Sequence, residues 1–265
     1  MRLRSNPASD GGGLRLGLGA GGEFRGDNPG FYGHLVTASP DWGDPRLFTH
    51  LSQYHSDFSL LINERGMRFC DESEGDHVNT YAVLTQPGAR ALLVWDERIQ
   101  REHVLTPFVA IAPPIDRLQA ALERGGQGVL ANSLEELAAF ATHHGMDGAQ
   151  TLHTIAEYNR MQRECWEGLD PLRVESPYPL EGPPYYALIV HPAITYTYGG
   201  LTIDPSARVL RPDGRPVPGL LAAGADAGDV YRTGYAGGLA QALTLGLQAV
   251  ETAGFGPPTA SSSSR

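Results

Sequence analysis

The sequence contains no lysine, and all 20 of its basic residues are arginine. Acidic residues outnumber the basic ones by 30 to 20, which gives a formal net charge of -10. Nucleic acids and anionic membranes are bound by surfaces with excess positive charge, so a chain of this sign is poorly suited to either. We therefore expect neither nucleic acid nor membrane as a partner.

Cysteine, long apolar runs and metal-ligand patterns are also scarce. The two cysteines, Cys70 and Cys165, lie far apart, which is typical of reduced thiols in a cytoplasmic protein. No stretch approaches the roughly eighteen apolar residues of a membrane span, and the first residues lack the apolar segment of a signal peptide. The nine histidines show no ligand spacing. The sequence thus predicts a cytoplasmic localisation and no metal site.

Glycine, by contrast, is abundant at 33 residues, and one glycine-rich stretch raises the question of a cofactor. Gly17–Gly22, GLGAGG, has the G-x-G-x-x-G spacing of loops that hold the pyrophosphate of NAD or FAD. Such a loop follows a buried strand and opens a helix. Only Leu-Arg-Leu precedes this one, and Glu23–Gly30 is too rich in Gly, Asn and Pro to begin a helix. We interpret the stretch as an amphipathic turn with Leu14 and Leu18 on one face, followed by a loop.

The pattern from about Phe31 to Leu180 predicts a small α+β unit. Ser133 with Glu136 forms a capping box that opens a helix to about His144. A second helix is predicted from about Gly148 to Cys165. Its apolar side would carry Leu152, Ile155, Ala156 and Met161. The other predicted elements are two short strands joined by a turn within Ser59–Phe69, a strand at Ala89–Trp95 and a helix at Pro114–Arg124.

The pattern changes after the proline-rich segment 176–184. The long final helix is predicted to start at Gly237-Gly238 and to end near Ala253. A strand ending in Ala-Gly, a glycine-rich loop and this helix start would together present backbone N–H groups, which suit an anion or the electron-rich edge of a ring. The strands predicted here are Tyr186–Val190, Gly200–Asp204, Arg208–Leu210 and a buried strand of small residues at Gly219–Gly224, with a turn at Pro212–Gly214.

Several of these stretches together resemble a known family. Pro218–Gly228, with Thr197–Gly200 before it and Tyr235–Gly238 after it, resembles the C-terminal part of the fumarate reductase/succinate dehydrogenase flavoproteins. That family includes 3-ketosteroid Δ1-dehydrogenases and tricarballylate dehydrogenase-like enzymes. Ile62–Glu72 resembles the VN-x-x-G-x-RF-x-x-E stretch of its capping domain, and 10–21 resembles the helix shortly before that domain. The motifs keep their order and spacing over nearly the whole chain.

The resemblance implies FAD as cofactor and an α/β fold with an α+β part. The fold that the resemblance implies is a capping domain plus the C-terminal part of a Rossmann-like FAD-binding domain. Family members bind the pyrophosphate near their N-terminus, and this chain begins after that point, so we expect the N-terminal dinucleotide-binding half to be missing. The expected divisions are a remnant of the FAD domain at 1–30, the capping domain at 31–184, the C-terminal FAD segment at 185–256 and a disordered tail at 257–265.

Cofactor contacts are carried over from the family by position. Its C-terminal helix directs its first amides, here those of Gly238, Leu239 and Ala240, at the pyrimidine edge of the flavin, where the helix dipole stabilises the anionic reduced ring. A plain glycine helix start is the structural alternative. An acidic or amide residue often follows the Ala-Gly of the preceding strand, but here Ala225 follows it and Asp226 comes one position later. The remaining cofactor-binding candidates are Gly199, Gly200, Gly224 and Gly237.

The catalytic candidates begin with two tyrosines. Tyr196 and Tyr235 stand where fumarate reductases carry the His and Arg that bind substrate carboxylates. Tyrosine cannot neutralise a carboxylate, but it can donate a hydrogen bond to a ketone oxygen. Tyr235-Ala236-Gly237 also resembles the ketosteroid dehydrogenase motif whose tyrosine polarises the substrate carbonyl, which acidifies the neighbouring C–H. Packing of Tyr196 or Tyr198 in the core is the alternative.

Glu72 matches the family glutamate that relays protons to a catalytic arginine. That arginine should fall within Trp95–Arg101, where the closest register gives Gln100, so Arg98 and Arg101 are the candidates. A surface position for either arginine is the alternative. Three further residues are candidates for lining the cleft: His34, His55 and His191.

The predicted function is therefore an FAD-dependent oxidoreductase that acts on a C–C bond adjacent to a carbonyl of a small molecule, in a truncated form. One alternative is a non-catalytic fragment or subunit, and another is a binding module without redox chemistry. Half of a doubly wound sheet exposes a strand edge and an apolar face. A separate FAD-binding chain or self-association is therefore the expected partner.

Overall fold

The computed structural model of the chain describes residues 1–26, 30–37, 44–107, 111, 113–175, 178–231, 235 and 237–255. The expected disordered tail lies outside these residues. The chain folds as two compact units. The first comprises Met1–Arg4 and Gly33–Ile194, and the second comprises Ser5–Tyr32 and Thr195–Arg265.

The strands and helices are named here in chain order. The strands are β1 Arg2–Leu3, β2 Phe24–Arg25, β3 Phe31–Thr37, β4 Leu60–Ile62, β5 Ala91–Asp96, β6 Gly128–Ala131, β7 Tyr185–Thr197, β8 Gly200–Leu201, β9 Arg208–Leu210 and β10 Pro216–Leu221. The helices are α1 Gly12–Gly19, α2 Phe48–Leu51, α3 Asp76–Leu84, α4 Glu97–Ile99, α5 Arg117–Leu122, α6 Leu134–His143, α7 Gly148–Glu164 and α8 Gly238–Thr252.

A six-stranded mixed sheet forms the core of the first unit. β7 pairs antiparallel with β5 and β6 and parallel with β1, it also pairs with β3, and β4 extends the sheet beyond β5. Every residue of β4 and β5 is buried. Their unbroken apolar runs, LLI and ALLVW, therefore fit strands that are covered on both faces.

Helix α6 of this unit starts at the predicted cap, Ser133. Ser133 Oγ accepts from the Glu136 amide at 3.2 Å, and the Glu136 carboxylate accepts from the Asn132 amide at 2.7 Å. The predicted capping box is confirmed, although the glutamate reaches one residue beyond the cap. The predicted α7 is also confirmed, but Ala156 is exposed and not on its apolar side. The buried face carries polar residues instead, among them Asn159.

The strand pair predicted within Ser59–Phe69 is shorter than expected. Only β4 is a full strand, and its partner is reduced to a single bridge between Ile62 and Arg68. Gly66 closes the turn at a φ of +75°, and a Cβ there would lie 2.6 Å from the Thr151 amide nitrogen. A side chain at position 66 would thus collide with the start of α7, which explains the glycine.

The described residues of the second unit form two small sheets and two helices. β2 pairs with β8, β9 pairs with β10, and a small core of Leu201, Val209, Val217 and Ala222 lies between them. The prediction of a buried strand at Gly219–Gly224 is wrong in both the bounds of the strand and its burial. The strand is β10, which ends at Leu221, and Pro216, Pro218 and Gly219 within it are exposed. Two prolines and a glycine leave few side chains and amides to bury, which fits an edge strand.

The glycine motif near the N-terminus takes the predicted non-phosphate form. Gly17 and Gly19 lie in the last turns of α1, and the chain leaves the helix through Gly21 at a φ of +88°. The motif therefore lies at the C-terminal, electronegative end of a helix, which repels a phosphate. Among the described residues, no helix is long and apolar enough to cross a bilayer.

Candidate functional site

Five tyrosines of the second unit form one aromatic group, called here the tyrosine cluster: Tyr32, Tyr196, Tyr198, Tyr231 and Tyr235. Tyr32 stacks on Tyr235 with ring centroids 3.9 Å apart and planes 14° apart. The rings of Tyr196 and Tyr231 lie 5.7 and 5.2 Å from that of Tyr235. Tyr198 is buried, so the packing alternative holds for that residue. The ring of Tyr235 thus contacts those of Tyr32, Tyr196 and Tyr231.

Tyr235 lies directly against the start of α8. Its phenol oxygen accepts a hydrogen bond from the Gly238 amide at 2.5 Å, and Gly237 lets the chain turn there with a φ of +123°. A Cβ at position 238 would lie 2.6 Å from that oxygen, so glycine is needed for the contact. The phenol O–H has no acceptor among the described residues. Tyr235 therefore retains a donor while its oxygen receives the positive end of the helix.

The hydroxyl groups of the neighbouring tyrosines are already used. Tyr196 donates to Gln241 Oε1 at 2.8 Å, and Tyr231 donates to the Gly237 carbonyl at 2.8 Å. Burial raises the pKa of Tyr196, and the hydrogen bond to Gln241 only partly offsets this effect. Gln241 in turn donates to the Gly224 carbonyl at 2.8 Å. The structure thus brings Tyr196 and Tyr235 together. The hydroxyls of Tyr196 and Tyr231 donate to other groups of the chain, whereas that of Tyr235 has no acceptor among the described residues.

The first turn of α8 fits part of the contact expected for a flavin ring. The amides of Leu239 and Ala240 have no hydrogen-bond partner among the described residues, whereas the Gly238 amide is taken by Tyr235. Both residues are exposed. Two amide donors at the positive end of a helix suit the electron-rich pyrimidine edge of a flavin.

The other predicted cofactor residues lie around a turn at Gly224–Asp226. A Cβ at Gly200 would lie 2.6 Å from the Asp226 carbonyl oxygen, because β8 runs tightly against this turn. A Cβ at Gly13 would lie 2.3 Å from an oxygen of the Asp226 carboxylate, so that carboxylate lies against the first turn of α1. Close backbone packing thus accounts for Gly200 without a cofactor. A Cβ at Gly199 would lie 2.9 Å from the end of the Phe24 side chain. Ala225 offers no side-chain donor.

Glu72 occupies a buried ionic group in the first unit. It is fully buried and accepts from the Leu61 amide at 3.1 Å and from Arg68 at 3.0 and 2.6 Å. Arg173, also buried, approaches it at 3.5 Å. The structure does not bring Glu72 to Arg98, the partner expected in a proton relay.

Arg98 lies elsewhere in the first unit. Its guanidinium lies over the ring of Tyr178, with 4.9 Å from its Cζ to the ring centroid, and donates to the Pro179 carbonyl at 3.1 Å. A longer ion pair joins it to Glu181 at 3.8 Å. Arg98 is thus occupied by packing, while Arg101 is exposed and pairs with its neighbour Glu102.

The candidate histidines differ in their surroundings. His191 donates from Nδ1 to the Ala89 carbonyl at 3.0 Å. His55 is buried, and neither of its ring nitrogens has a hydrogen-bond partner among the described residues. His34 is buried in a short hydrogen bond to Asp76. The pKa of His55 lies well below its usual range because of burial and the charge of Arg117. No group of three or more His, Cys, Asp or Glu in the described part of the chain could hold a metal ion.

Sequence reasoning missed Tyr32, Tyr231 and Gln241. Tyr32 and Tyr235 are 203 positions apart in the numbering, so no local pattern connects them. Gln241 did carry a signal, because it is a polar residue in the first turn of a helix rich in apolar residues. Its burial, at 5% exposure, and its three hydrogen bonds explain why a glutamine stands there.

The chain is similar to several known proteins. A family described as "FAD binding domain" matches residues 3–239. NADH:acrylate oxidoreductase of Vibrio harveyi is 31% identical over 258 residues, which are 96% of this chain and 24% of that protein. Urocanate reductase of Eggerthella lenta is 32% identical over 176 residues, which are 64% of this chain and 26% of that protein.

Among solved structures, 3-ketosteroid delta1-dehydrogenase from Sterolibacterium denitrificans has a similar fold, with a TM-score of 0.72 at 22% identity. The match covers 96% of this chain and 48% of that one. The chain thus spans about a quarter of the length of the two curated relatives and about half of the solved structure.

Proposed function

The chain belongs to the FAD binding domain family, among flavoproteins of the fumarate reductase/succinate dehydrogenase type, and from this premise we propose what it does. It is the part of an FAD-dependent oxidoreductase that binds the substrate and contacts the flavin ring. The reaction is reduction or dehydrogenation of a C–C bond adjacent to a carbonyl group. The names of the relatives agree with this class, since acrylate and urocanate each carry a C=C bond beside a carboxyl group.

The observation that carries the proposal is the geometry of Tyr235. Its hydroxyl oxygen receives the Gly238 amide, and its own proton is left for a ligand. A ketone oxygen bound by this phenol gains negative charge as the neighbouring C–H is broken, and a donor aimed at that oxygen stabilises the charge. Aromatic rings on several sides of Tyr235 favour a substrate with an apolar body over a small dianion.

FAD, when bound, would accept or supply the hydride. Among the described residues, the amides of Leu239 and Ala240 would receive the pyrimidine edge of its ring, and the dipole of α8 would favour the anionic reduced form. Tyr235 would orient the carbonyl, and Tyr196 would keep its place through Gln241. The glycines at 199 and 200 would serve the fold of the turn.

The test compares Tyr235→Phe with wild type in a preparation reconstituted with FAD, a ketone substrate and a dye acceptor. Loss of one donor to a developing oxyanion costs about 3 kcal/mol, so turnover should fall roughly a hundredfold. The melting temperature should fall only slightly, because the substitution also removes the acceptor of the Gly238 amide at the start of α8. Tyr158→Phe, which removes a hydroxyl that donates to the Tyr178 carbonyl in the first unit, is the matched control. Equal turnover for Tyr235→Phe and wild type would refute the ketone assignment.

A second candidate is a non-catalytic subunit that needs a partner chain to bind FAD. It is favoured by an apolar stripe on α8 whose side chains are 89%, 66% and 59% exposed: Leu239, Leu243 and Leu247. Such a stripe is normally covered. This candidate predicts no flavin absorbance near about 450 nm in the purified chain, weak FAD binding in a titration and self-association in sedimentation velocity. A yellow monomer with stoichiometric FAD would exclude it.

A further inference from the structure

A single glutamine lies on the buried side of α8, a helix whose exposed side is apolar. Gln241 is 5% exposed, whereas Leu239 and Leu243 on the same helix are 89% and 66% exposed. A buried glutamine must find partners for both its carbonyl oxygen and its NH2 group, because burying either without a hydrogen bond is costly. Gln241 therefore stands where hydrogen bonds are needed that an apolar side chain could not make.

The side-chain amide of Gln241 can take only one orientation among its neighbours. Its Nε2 donates to the Gly224 carbonyl at 2.8 Å and to the Ala227 carbonyl at 3.4 Å. Carbonyl oxygens only accept, so the NH2 group must face these two, and Oε1 must face the other way. There Oε1 accepts the hydroxyl proton of Tyr196 at 2.8 Å. Gln241 thus fixes the direction in which the O–H bond of Tyr196 points.

The hydroxyls of Tyr196 and Tyr235 consequently have opposite polarity. Tyr196 donates its proton to Gln241, and its oxygen receives no hydrogen bond from the described residues, so it keeps a lone pair for an incoming donor. Tyr235 receives the Gly238 amide at its oxygen, and its own proton has no acceptor in the described part of the chain. The two ring centroids lie 5.7 Å apart, and both residues are half-buried. Within the second unit, an acceptor is thus placed beside a donor.

We propose that Gln241 is a positioning residue that sets the substrate specificity of this site through Tyr196. The ligand that it selects carries a hydroxyl or N–H donor next to its carbonyl group, as an α-hydroxy ketone or a lactam does. The carbonyl oxygen accepts from Tyr235, and the neighbouring donor reaches the oxygen of Tyr196. A carboxylate is disfavoured, because its second oxygen would face the lone pair of Tyr196 instead of a proton.

This assignment rests on the proposed function, because it takes Tyr235 as the donor to the substrate carbonyl. It narrows the substrate class from carbonyl compounds in general to those with an adjacent donor. It concerns binding alone and involves no transfer of a proton or hydride. The assignment can therefore be tested without flavin and without turnover.

The test measures the binding of two probes to the chain by saturation-transfer NMR titration. The probes are δ-valerolactam, whose N–H adjoins its carbonyl, and N-methyl-δ-valerolactam, which lacks that donor. Wild type should bind δ-valerolactam about two- to tenfold more tightly, which is the value of one hydrogen bond between neutral groups. Gln241→Met keeps the length of the side chain but leaves the proton of Tyr196 free to turn outward, so this preference should fall by the same factor. A glutamine with a merely structural role would weaken both probes alike and leave the ratio of the affinities unchanged.

Two further variants separate the roles of the tyrosines. Tyr196→Phe removes the acceptor and should abolish the preference as Gln241→Met does, and it decides the question if Gln241→Met does not fold. Tyr235→Phe removes the donor to the carbonyl, so it should weaken both probes and leave their ratio as in wild type. The matched control is Gln248→Met, a half-buried glutamine farther along α8 whose amide makes no hydrogen bond with the described residues, and it should change neither affinity.

Three results would overturn the assignment: no binding of either probe, equal affinity of wild type for the two probes, or a preference that persists in folded Gln241→Met and Tyr196→Phe. If wild type shows no preference but Tyr235→Phe weakens both probes, the ketone assignment of the proposed function stands and this one fails. If the preference depends on Gln241 and Tyr196 but Tyr235→Phe binds both probes as tightly as wild type, the proposed function loses its carbonyl donor, while Gln241 keeps its role toward Tyr196.

Discussion

Replacing Glu72 by glutamine distinguishes a structural carboxylate from a proton relay. The substitution keeps the shape of the side chain but removes a negative charge held between Arg68 and Arg173, whose side chains are 4% and 1% exposed. The glutamine NH2 group would also face guanidinium donors in place of an acceptor. Removing one partner of a buried ion pair costs about 3–5 kcal/mol, because the remaining charge is left without compensation.

That cost is large enough to measure directly. In a unit of this size each kcal/mol lowers the melting temperature by about 2–4 °C, so Glu72→Gln should melt about 6–20 °C below wild type. Urea titration followed by circular dichroism gives the free energy of unfolding, with the slope of the transition checked for two-state behaviour. The control is Glu157→Gln on α7, whose partner Arg160 is half-exposed, and it should leave the transition unchanged.

A different outcome would refute the structural interpretation. If Glu72→Gln has the same melting temperature as wild type and only turnover falls, the buried ionic group contributes little to stability. That result would favour the proton relay predicted from the sequence. If both stability and turnover fall, turnover must be measured at a temperature where the variant is fully folded before any catalytic role is assigned.

Three further predictions concern other sites. Cys165 is exposed, whereas burial raises the pKa of Cys70. Ellman's reagent should therefore react rapidly with one thiol and with the second only on unfolding, and rapid reaction of both thiols in the folded chain would contradict this. Burial raises the pKa of Asp57 to about 6, so the folded chain holds this proton more tightly than the unfolded chain, and stability should fall as pH rises from about 4 to about 6. Asp57→Asn should remove about 1–3 kcal/mol of that fall in urea titrations, and an unchanged pH slope would count against the assignment. Gly148→Ala would place a Cβ 2.2 Å from the Ala138 carbonyl oxygen. It should therefore destabilise the chain by about 1–3 kcal/mol in the same titration, and an unchanged free energy of unfolding would mean that α6 and α7 separate easily.

The parts of the fold that local signals determine were predictable. The caps at Ser133 and Asp147 start α6 and α7, and the Gly237-Gly238 pair starts α8, because each of these features acts within one helical turn. The extent of β10 was not predictable from its small residues. Whether such a strand is buried depends on what packs over it, and in this chain three of its six residues are exposed.

The candidate site divides in the same way. Tyr235 could be singled out because it stands next to a recognisable helix start. Its stacking partner Tyr32 could not, and neither could the pairing of His34 with Asp76, because both arise from strands and helices brought together over long separations. Glu72 shows the reverse case, in which a motif identifies the residue while its environment, two buried arginines, argues for a different role from the one expected.

The two glycine-rich stretches show why a spacing alone does not identify a binding site. GLGAGG near the N-terminus has the more specific spacing, but it ends α1, so a ligand there would meet backbone carbonyls and the negative end of the helix dipole. Gly237-Gly238 has almost no spacing signature, but it begins α8, so its surroundings offer amide donors and the positive end. The direction of the adjoining helix therefore decides which stretch can bind an electron-rich ring. In this chain the weaker motif, with Tyr235 beside it, is the better candidate.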